Sequence, residues 1–134
     1  MAGNSKGINE ILLPFLHYVI SVPSQPPSGF TVTSSTSTSI TAYWQLPPKY
    51  ARHGTITGFK LFYAKKGSQG SPAVLTSNVT SLVGVVGRLV SRLDKYTEYE
   101  FQVLAFSSKG DGPKSSVVVE STKEDGKIFK TIWF

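Results

Sequence analysis

The residue types that most often carry catalysis are sparse and scattered in this chain. None of its 134 residues is cysteine, which excludes a thiol nucleophile, a cysteine-ligated metal and a disulfide. The two histidines, His17 and His53, lie far apart without a carboxylate pair beside either, so they make a poor metal site. The segment 84–87 has two glycines but lacks the lysine that a phosphate-binding loop requires. The sequence therefore predicts a protein that is not an enzyme and that uses no cofactor.

The basic residues are more numerous than the acidic ones but are not clustered. The chain has 14 Lys+Arg against 8 Asp+Glu, a net charge of +6. The cations spread along the chain include Lys49, Arg52, Lys60, Lys65, Lys66, Arg88, Arg92 and Lys95. Nucleic-acid binding requires clustered cations with stacking aromatic residues, and this spread predicts no nucleic-acid partner. A solvated basic surface is the favoured interpretation, and a surface for acidic polysaccharide or lipid headgroups is the alternative.

A triplet that can be modified lies at Asn78. Asn78-Val79-Thr80 has the Asn-x-Thr pattern of an N-glycosylation acceptor, in a polar connection where a sugar would stay in solvent. Such triplets also arise by chance. Asn78 is therefore a candidate glycosylation site, on the condition that the chain enters the secretory pathway.

Short segments of alternating polarity must position these residues. Such segments begin at Phe30, Ile40, Phe59 and Tyr99, and each places alternate side chains on opposite faces of a strand. Between them lie the turn sequences Pro26-Pro27, Pro47-Pro48, His53-Gly54, Lys66-Gly67 and Gly110-Asp111-Gly112-Pro113. No helical period appears in this region. The pattern predicts an all-β sandwich.

From Pro26 to Thr122 the chain resembles the fibronectin type III family. The matching residues are Pro27 with Phe30 and Val32, Ser39 to Trp44 followed by Pro47-Pro48, Gly58 to Tyr63, Leu93 with Thr97 and Tyr99, and Ala105 to Gly110 with Gly112. Lys95 departs from the family's Leu-x-Pro-x-Thr-x-Tyr corner, which usually has proline at that position. This change loosens the turn and removes no core group.

The resemblance implies an immunoglobulin-like, seven-stranded antiparallel β-sandwich over residues 22–125. It places Trp44, Tyr63, Leu93 and Tyr99 in the structural core. The ring of Tyr99 can pack inside while its hydroxyl reaches backbone near Leu93. These residues are therefore assigned no ligand.

The resemblance also implies a function. The segments 55–66 and 93–113 look most similar to neural adhesion and axon-guidance receptors of the neogenin, protogenin and sidekick kind. This implies a non-catalytic protein-interaction and spacer module, extracellular and part of a larger cell-surface receptor. One alternative is a matrix-facing ligand of integrin or heparan sulfate, secreted and acting through Lys109–Asp111 and the basic strands. Another alternative is an intracellular scaffold domain.

Two places could carry the binding. In the family the third and sixth strands are neighbours, which predicts a partner-binding face of Lys60, Phe62, Glu100, Gln102, Leu104 and Phe106. Three interpretations of the apolar residues Phe62, Leu104 and Phe106 stay open. They form a partner surface, they are covered by the tails, or they are exposed without a binding role. The second place is the tripeptide Lys109-Gly110-Asp111, similar to the Arg-Gly-Asp loop that some family members present to integrin. Gly110 and Gly112 are equally expected for backbone reasons.

The two ends of the chain, residues 1–21 and 126–134, are atypical for the family. The apolar run Ile11–Ile20 is too short to span a membrane, and Pro14 and His17 interrupt it as a signal peptide. It could cover the predicted face, as could the aromatic ending 128–134. Gly126-Lys127 in one tail and residues 12–16 in the other resemble translated sequence at the ends of an intron. We therefore expect that residues 22–125 are one module bounded by exons, and that both tails come from read-through or alternative splicing.

Overall fold

Alternating sequence produces eight strand segments in the computed structural model, which describes residues 21–124. The strands are β1 (Ser28–Thr36), β2 (Ser39–Gln45), β3 (Ile56–Lys65), β4 (Ala73–Asn78), β5 (Val86–Val90), β6 (Glu98–Ser107), β7 (Gly110–Asp111) and β8 (Val118–Ser121). Within the described range the one helical segment is a 3-10 turn at Lys49–Ala51. The predictions for Ile11–Ile20, His17 and residues 126–134 fall outside the described residues.

The strands form two antiparallel sheets. The smaller sheet has the order β1-β2-β5, and the larger has the order β4-β3-β6-β7, with β8 also paired to β6. Because β7 and β8 both pair with β6, they are two parts of one edge strand, interrupted over residues 112–117. Counted in this way, the described chain has the predicted seven strands. The immunoglobulin-like sandwich is confirmed.

The core lies between the sheets and is built from the inward side chains of both. Trp44 is fully buried, with its ring 5.5 Å from that of Phe59 and 6.4 Å from that of Phe30. Tyr63 is only partly buried, and it stacks on Phe101 at 6.2 Å. The other members include Ile40, Ala42, Leu61, Val90, Val103 and Ala105. Trp44 is thus a central core residue, whereas Tyr63 lies at the edge of the core.

The corner between β5 and β6 has the predicted contact. Leu93 and Tyr99 are buried, and the Asp94 N–H donates a hydrogen bond to the Tyr99 hydroxyl at 2.9 Å. The Thr97 hydroxyl donates to the Lys95 carbonyl at 2.8 Å. Buried Thr122 donates to the Asp94 carbonyl at 2.7 Å, which ties the corner to the residue that follows β8. Side-chain hydrogen bonds therefore hold the turn that lacks the family's proline.

Candidate interaction face

Strand register brings most of the predicted partner residues together. On β3 and β6, Lys60 pairs with Leu104, Phe62 with Gln102, Ala64 with Glu100 and Gly58 with Phe106. Because paired residues project to the same side of a sheet, these side chains share the surface that faces away from the core. We call the surface formed by Lys60, Phe62, Glu100, Gln102 and Phe106 the outer face.

The expectation that Leu104 is exposed is wrong. Leu104 has only 4% of its surface accessible, although it points away from the core. The Gly112 N–H donates to the Ala105 carbonyl at 2.8 Å, and the Ser115 N–H donates to the Val103 carbonyl at 2.8 Å. These two bonds hold the interrupted edge segment beside Leu104, which is enclosed between that segment and β3.

Lys114, in the interrupted segment, also belongs to the outer face. Its Nζ lies 4.1 Å from the centroid of the partly buried Phe62 ring, a cation–π contact. To reach Phe62 from the far side of β6, the aliphatic part of Lys114 must cross the outer face. Gln102 Nε2 donates to the Ser115 carbonyl at 2.9 Å and fastens the same segment. Sequence reasoning missed Lys114 because no pattern in residues 112–117 indicates which strand its side chain crosses.

A second aromatic group lies at the other end of the face. The Phe106 ring lies directly on Gly58, because a Cβ at Gly58 would be 2.4 Å from the ring's Cζ atom. Lys60 Nζ is 5.6 Å from the centroid of that ring and 3.0 Å from Asp111 Oδ2. A glycine is therefore required at position 58 for the ring to lie this close to β3.

The predicted integrin tripeptide is part of a short hairpin. Asp111 pairs with Phe106 and Gly110 with Ser107, so Asp111 lies on the sheet and not at the tip of the turn. Its carboxylate is bound by Lys60, while Lys109 is exposed. Gly110 has φ +138°, a conformation that favours glycine. The geometry supplies the backbone reason for this glycine and gives the integrin interpretation no added support.

The lysines of β3 and the turn after it each have an acidic partner. Lys60 pairs with Asp111, Lys65 with Asp94, and Lys66 with Glu98 at 3.6 Å. The hydrogen bond and the charge of Asp94 raise the pKa of Lys65 above its usual value. This local pairing leaves β3 without the unbalanced row of cations that an acidic polysaccharide would bind.

Three exposed valines extend the outer face beyond the predicted residues. Val74 lies opposite Phe62 on β4 and is 46% exposed, while Val117 is 50% and Val119 41% exposed. Phe62, Gln102 and Val117 line one groove of about 150 Å³. Alternation along β4 could have identified Val74. Val117 and Val119 depend on where the interrupted strand resumes, which the sequence pattern does not show.

The remaining candidate chemistry is limited. The Ser24 hydroxyl lies 3.0 Å from His53 Nε2, and the Ser24 N–H donates to the Ala51 carbonyl at 2.9 Å. These contacts fasten the entering chain to the β2–β3 connection. Among residues 21–124, no group of three or more His, Cys, Asp or Glu side chains could hold a metal ion. No helix in that range is long and apolar enough to cross a membrane.

Two antiparallel sheets connected by the corner of Tyr99, with the core between them, define an immunoglobulin-like β-sandwich. The family model described as the fibronectin type III domain matches residues 25–121. The chain belongs to the fibronectin type III family.

Its relatives include cell-surface receptors. The chain is 38% identical over 106 residues to protein sidekick-1 of Gallus gallus, covering 78% of this chain and 5% of that protein. It is 33% identical over 127 residues to the cell adhesion molecule DSCAM of Homo sapiens, covering 92% and 6%. With tyrosine-protein phosphatase Lar of Drosophila melanogaster it shares 36% over 105 residues, covering 78% and 5%. The chain thus spans about a twentieth of the length of these relatives.

Solved structures agree with the fold. The FN5 domain of Drosophila Lar superposes with a TM-score of 0.57 at 30% identity, covering 75% of this chain and 97% of that one. The FN1-FN3 domains of chicken CNTN1 superpose with a TM-score of 0.65 at 20% identity, covering 77% and 32%. The second likeness concerns the fold alone.

Proposed function

We propose that the chain is a non-catalytic protein-interaction and spacer module of a cell-surface adhesion or guidance receptor, and that its partner binds the outer face. The observation that carries the proposal is that exposed Val74, Val117 and Val119 lie on the same face of the sheet as Phe62. Membership of a family that includes cell adhesion molecules supports it.

The composition of this surface suits a protein partner. An aromatic ring among exposed aliphatic groups supplies apolar area, and polar groups at its margin can set orientation. Lys114 places a positive charge directly above Phe62. A partner that combines an apolar side chain with a carboxylate would contact the valines and pair with this cation at the same time.

The ends of the module support the spacer role. Ser21 donates its N–H to the His53 carbonyl beside the start of β3, whereas Lys123 donates to the Thr36 carbonyl beyond the end of β1. The chain therefore enters at one end of the sandwich and leaves at the other. With strands of up to ten residues, the module separates its neighbours by roughly 30 Å.

Binding to live cells tests the partner surface. The full chain, made in mammalian cells and coupled to fluorescent beads, should bind saturably to neural cells that form adhesive contacts. Val117→Asp should weaken that binding about tenfold or more, because it places a carboxylate in the groove beside Phe62. Thr33→Asp, an exposed position on the smaller sheet, is the matched control and should leave binding unchanged. Equal loss with both variants, or no saturable binding, would contradict the proposal.

A further inference from the structure

Asn78 is positioned to carry a sugar on the folded domain. It ends β4, its side chain is exposed, and Thr80 is exposed two residues later. Between them Val79 packs against the core and donates its N–H to the Thr57 carbonyl at 3.1 Å. The backbone of the triplet is thus fixed while both of its polar side chains face solvent.

The neighbour of Asn78 across the sheet is an aromatic ring. Asn78 pairs with Gly58, and Gly58 pairs with Phe106 on its other side. Because Gly58 has no side chain, the Phe106 ring occupies the space above it. The ring therefore lies over β3, the strand that separates Phe106 from Asn78. The ring is only partly buried. A pyranose has a face of C–H groups that packs on such rings through dispersion and weak C–H contacts.

We propose that Asn78 carries an N-linked glycan whose first sugar packs on the ring of Phe106. In the transfer, Asn78 Nδ2 forms a bond to the anomeric carbon of a sugar carried on a lipid diphosphate. The bond from that carbon to the diphosphate oxygen breaks, the lipid diphosphate leaves with the electron pair, and one amide proton is released. The transfer precedes folding, so the fold has only to accommodate the product.

The sugar and the proposed partner would occupy different ends of one surface. The row of Asn78, Gly58 and Phe106 lies at one end of β3, and the row of Ala64, Glu100 and Val119 lies at the other. Phe62 is four residues along β3 from Gly58, roughly 13 Å away. The glycan would therefore confine a partner to the end of the outer face that carries the exposed valines.

Modification itself is tested in the secretory pathway. The inference rests on the proposed function, because only a chain that enters this pathway meets the transferase. The full chain with a cleavable foreign signal sequence should therefore be expressed in mammalian cells. Digestion with a peptide N-glycosidase should increase its gel mobility, and Thr80→Ser should behave in the same way. Asn78→Gln and Thr80→Ala should lack the shift.

This design separates the two proposals. A chain delivered by the foreign signal that shows no mobility shift overturns the glycan, whatever the fate of the cell-binding result. A shift that persists in Asn78→Gln overturns the assignment to Asn78.

The contact with Phe106 is tested by a thermodynamic cycle. In the secreted protein the glycan should raise Tm by roughly 2–5 °C, measured against Asn78→Gln. In a Phe106→Leu background, which keeps an apolar group on Gly58 but removes the aromatic face, the difference should fall below about 1 °C. The same four proteins made in bacteria correct for the Gln side chain. An equal glycan effect in both backgrounds would overturn the packing of the sugar on Phe106.

Discussion

The outer surfaces of the two sheets differ sharply in chemistry although the same alternation generates both. The smaller sheet exposes mainly hydroxyl and amide groups, from Thr31, Thr33, Ser35, Gln45 and the partly buried Thr41, together with Tyr43 and Leu89. The Ser35 and Thr41 hydroxyls bond to each other at 2.6 Å. The larger sheet exposes cations placed above two aromatic rings, with Lys60 at Phe106 and Lys114 at Phe62.

The difference lies in the kind of contact that each surface makes. On the smaller surface, hydroxyl groups bond to each other between β1 and β2, and the Tyr43 ring lies beside Gly87 of β5. On the outer face, a cation–π contact and an ion pair join β3 to residues about fifty positions later. A surface of the second kind has a fixed arrangement of charge and aromatic groups, which recognition of a specific partner requires. The smaller surface is a solvated exterior by comparison.

The largest expected effect compares a glycine on each surface. Gly58→Ala should lower the free energy of unfolding by about 3 kcal/mol, because its Cβ would be 2.7 Å from the Ser77 carbonyl oxygen as well as 2.4 Å from Phe106. Gly87→Ala on the smaller sheet meets only the exposed Tyr43 ring at 3.2 Å, which can move, and should change stability by less than about 1 kcal/mol. Urea unfolding of both variants measures this, and equal costs would contradict the distinction.

An intermediate effect is expected from removing the cation of the outer face. Lys114→Ala should cost about 1 kcal/mol, because it removes the contact with Phe62 and uncovers apolar surface near Leu104. Lys114→Met keeps the aliphatic chain and should cost about half as much. Leu89→Ala, an exposed change on the smaller sheet, is the control and should stay within about 0.5 kcal/mol. Equal costs for Ala and Met would show that the charge, and not the packing of the aliphatic chain, is responsible.

A smaller effect concerns acidic polysaccharide. The protein should leave a heparin column at low salt, because Lys60, Lys65 and Lys66 are neutralised locally. The double variant Asp94→Asn with Glu98→Gln should be retained to higher salt. Glu120→Gln with Glu124→Gln removes the same charge away from β3 and is the matched control. Strong retention of the unmodified protein would support the heparan sulfate interpretation instead.

The smallest effect is a titration. The pKa of Lys65 is raised by Asp94, so Asp94→Asn should return it toward the usual lysine value. A lysine with a raised pKa stabilises the fold below its unfolded pKa and loses that contribution as pH rises through the folded one. Asp94→Asn should therefore remove a small part of the stability at neutral pH, and the difference from the unmodified protein should disappear as the pH rises above about 10. Amine NMR of Lys65 measures the pKa, and an unchanged pKa would show that the ion pair does not persist in solution.

The sequence predicted the regular strands and the corner but not the broken edge. Alternation identified β1, β2, β3 and β6, and the resemblance to the fibronectin type III family placed Trp44 in the core and Lys60, Phe62 and Gln102 on one face. The corner motif of that family predicted the bond to the Tyr99 hydroxyl. The burial of Leu104 and the role of Lys114 could not be predicted, since both follow from the interruption of the edge strand. Where a broken strand resumes is set by tertiary hydrogen bonds such as those of Ser115.

That interruption also limits self-association. A sheet edge offers unpaired N–H and C=O groups to any strand of another molecule, and modules crowded on a membrane meet one another at high local concentration. Here the edge beside β6 is broken over residues 112–117, where Pro113 has no N–H to donate. Next to it, buried Pro23 packs within 3 Å of where a Gly112 Cβ would be. Polymerisation through this edge would first require the entering chain to be displaced.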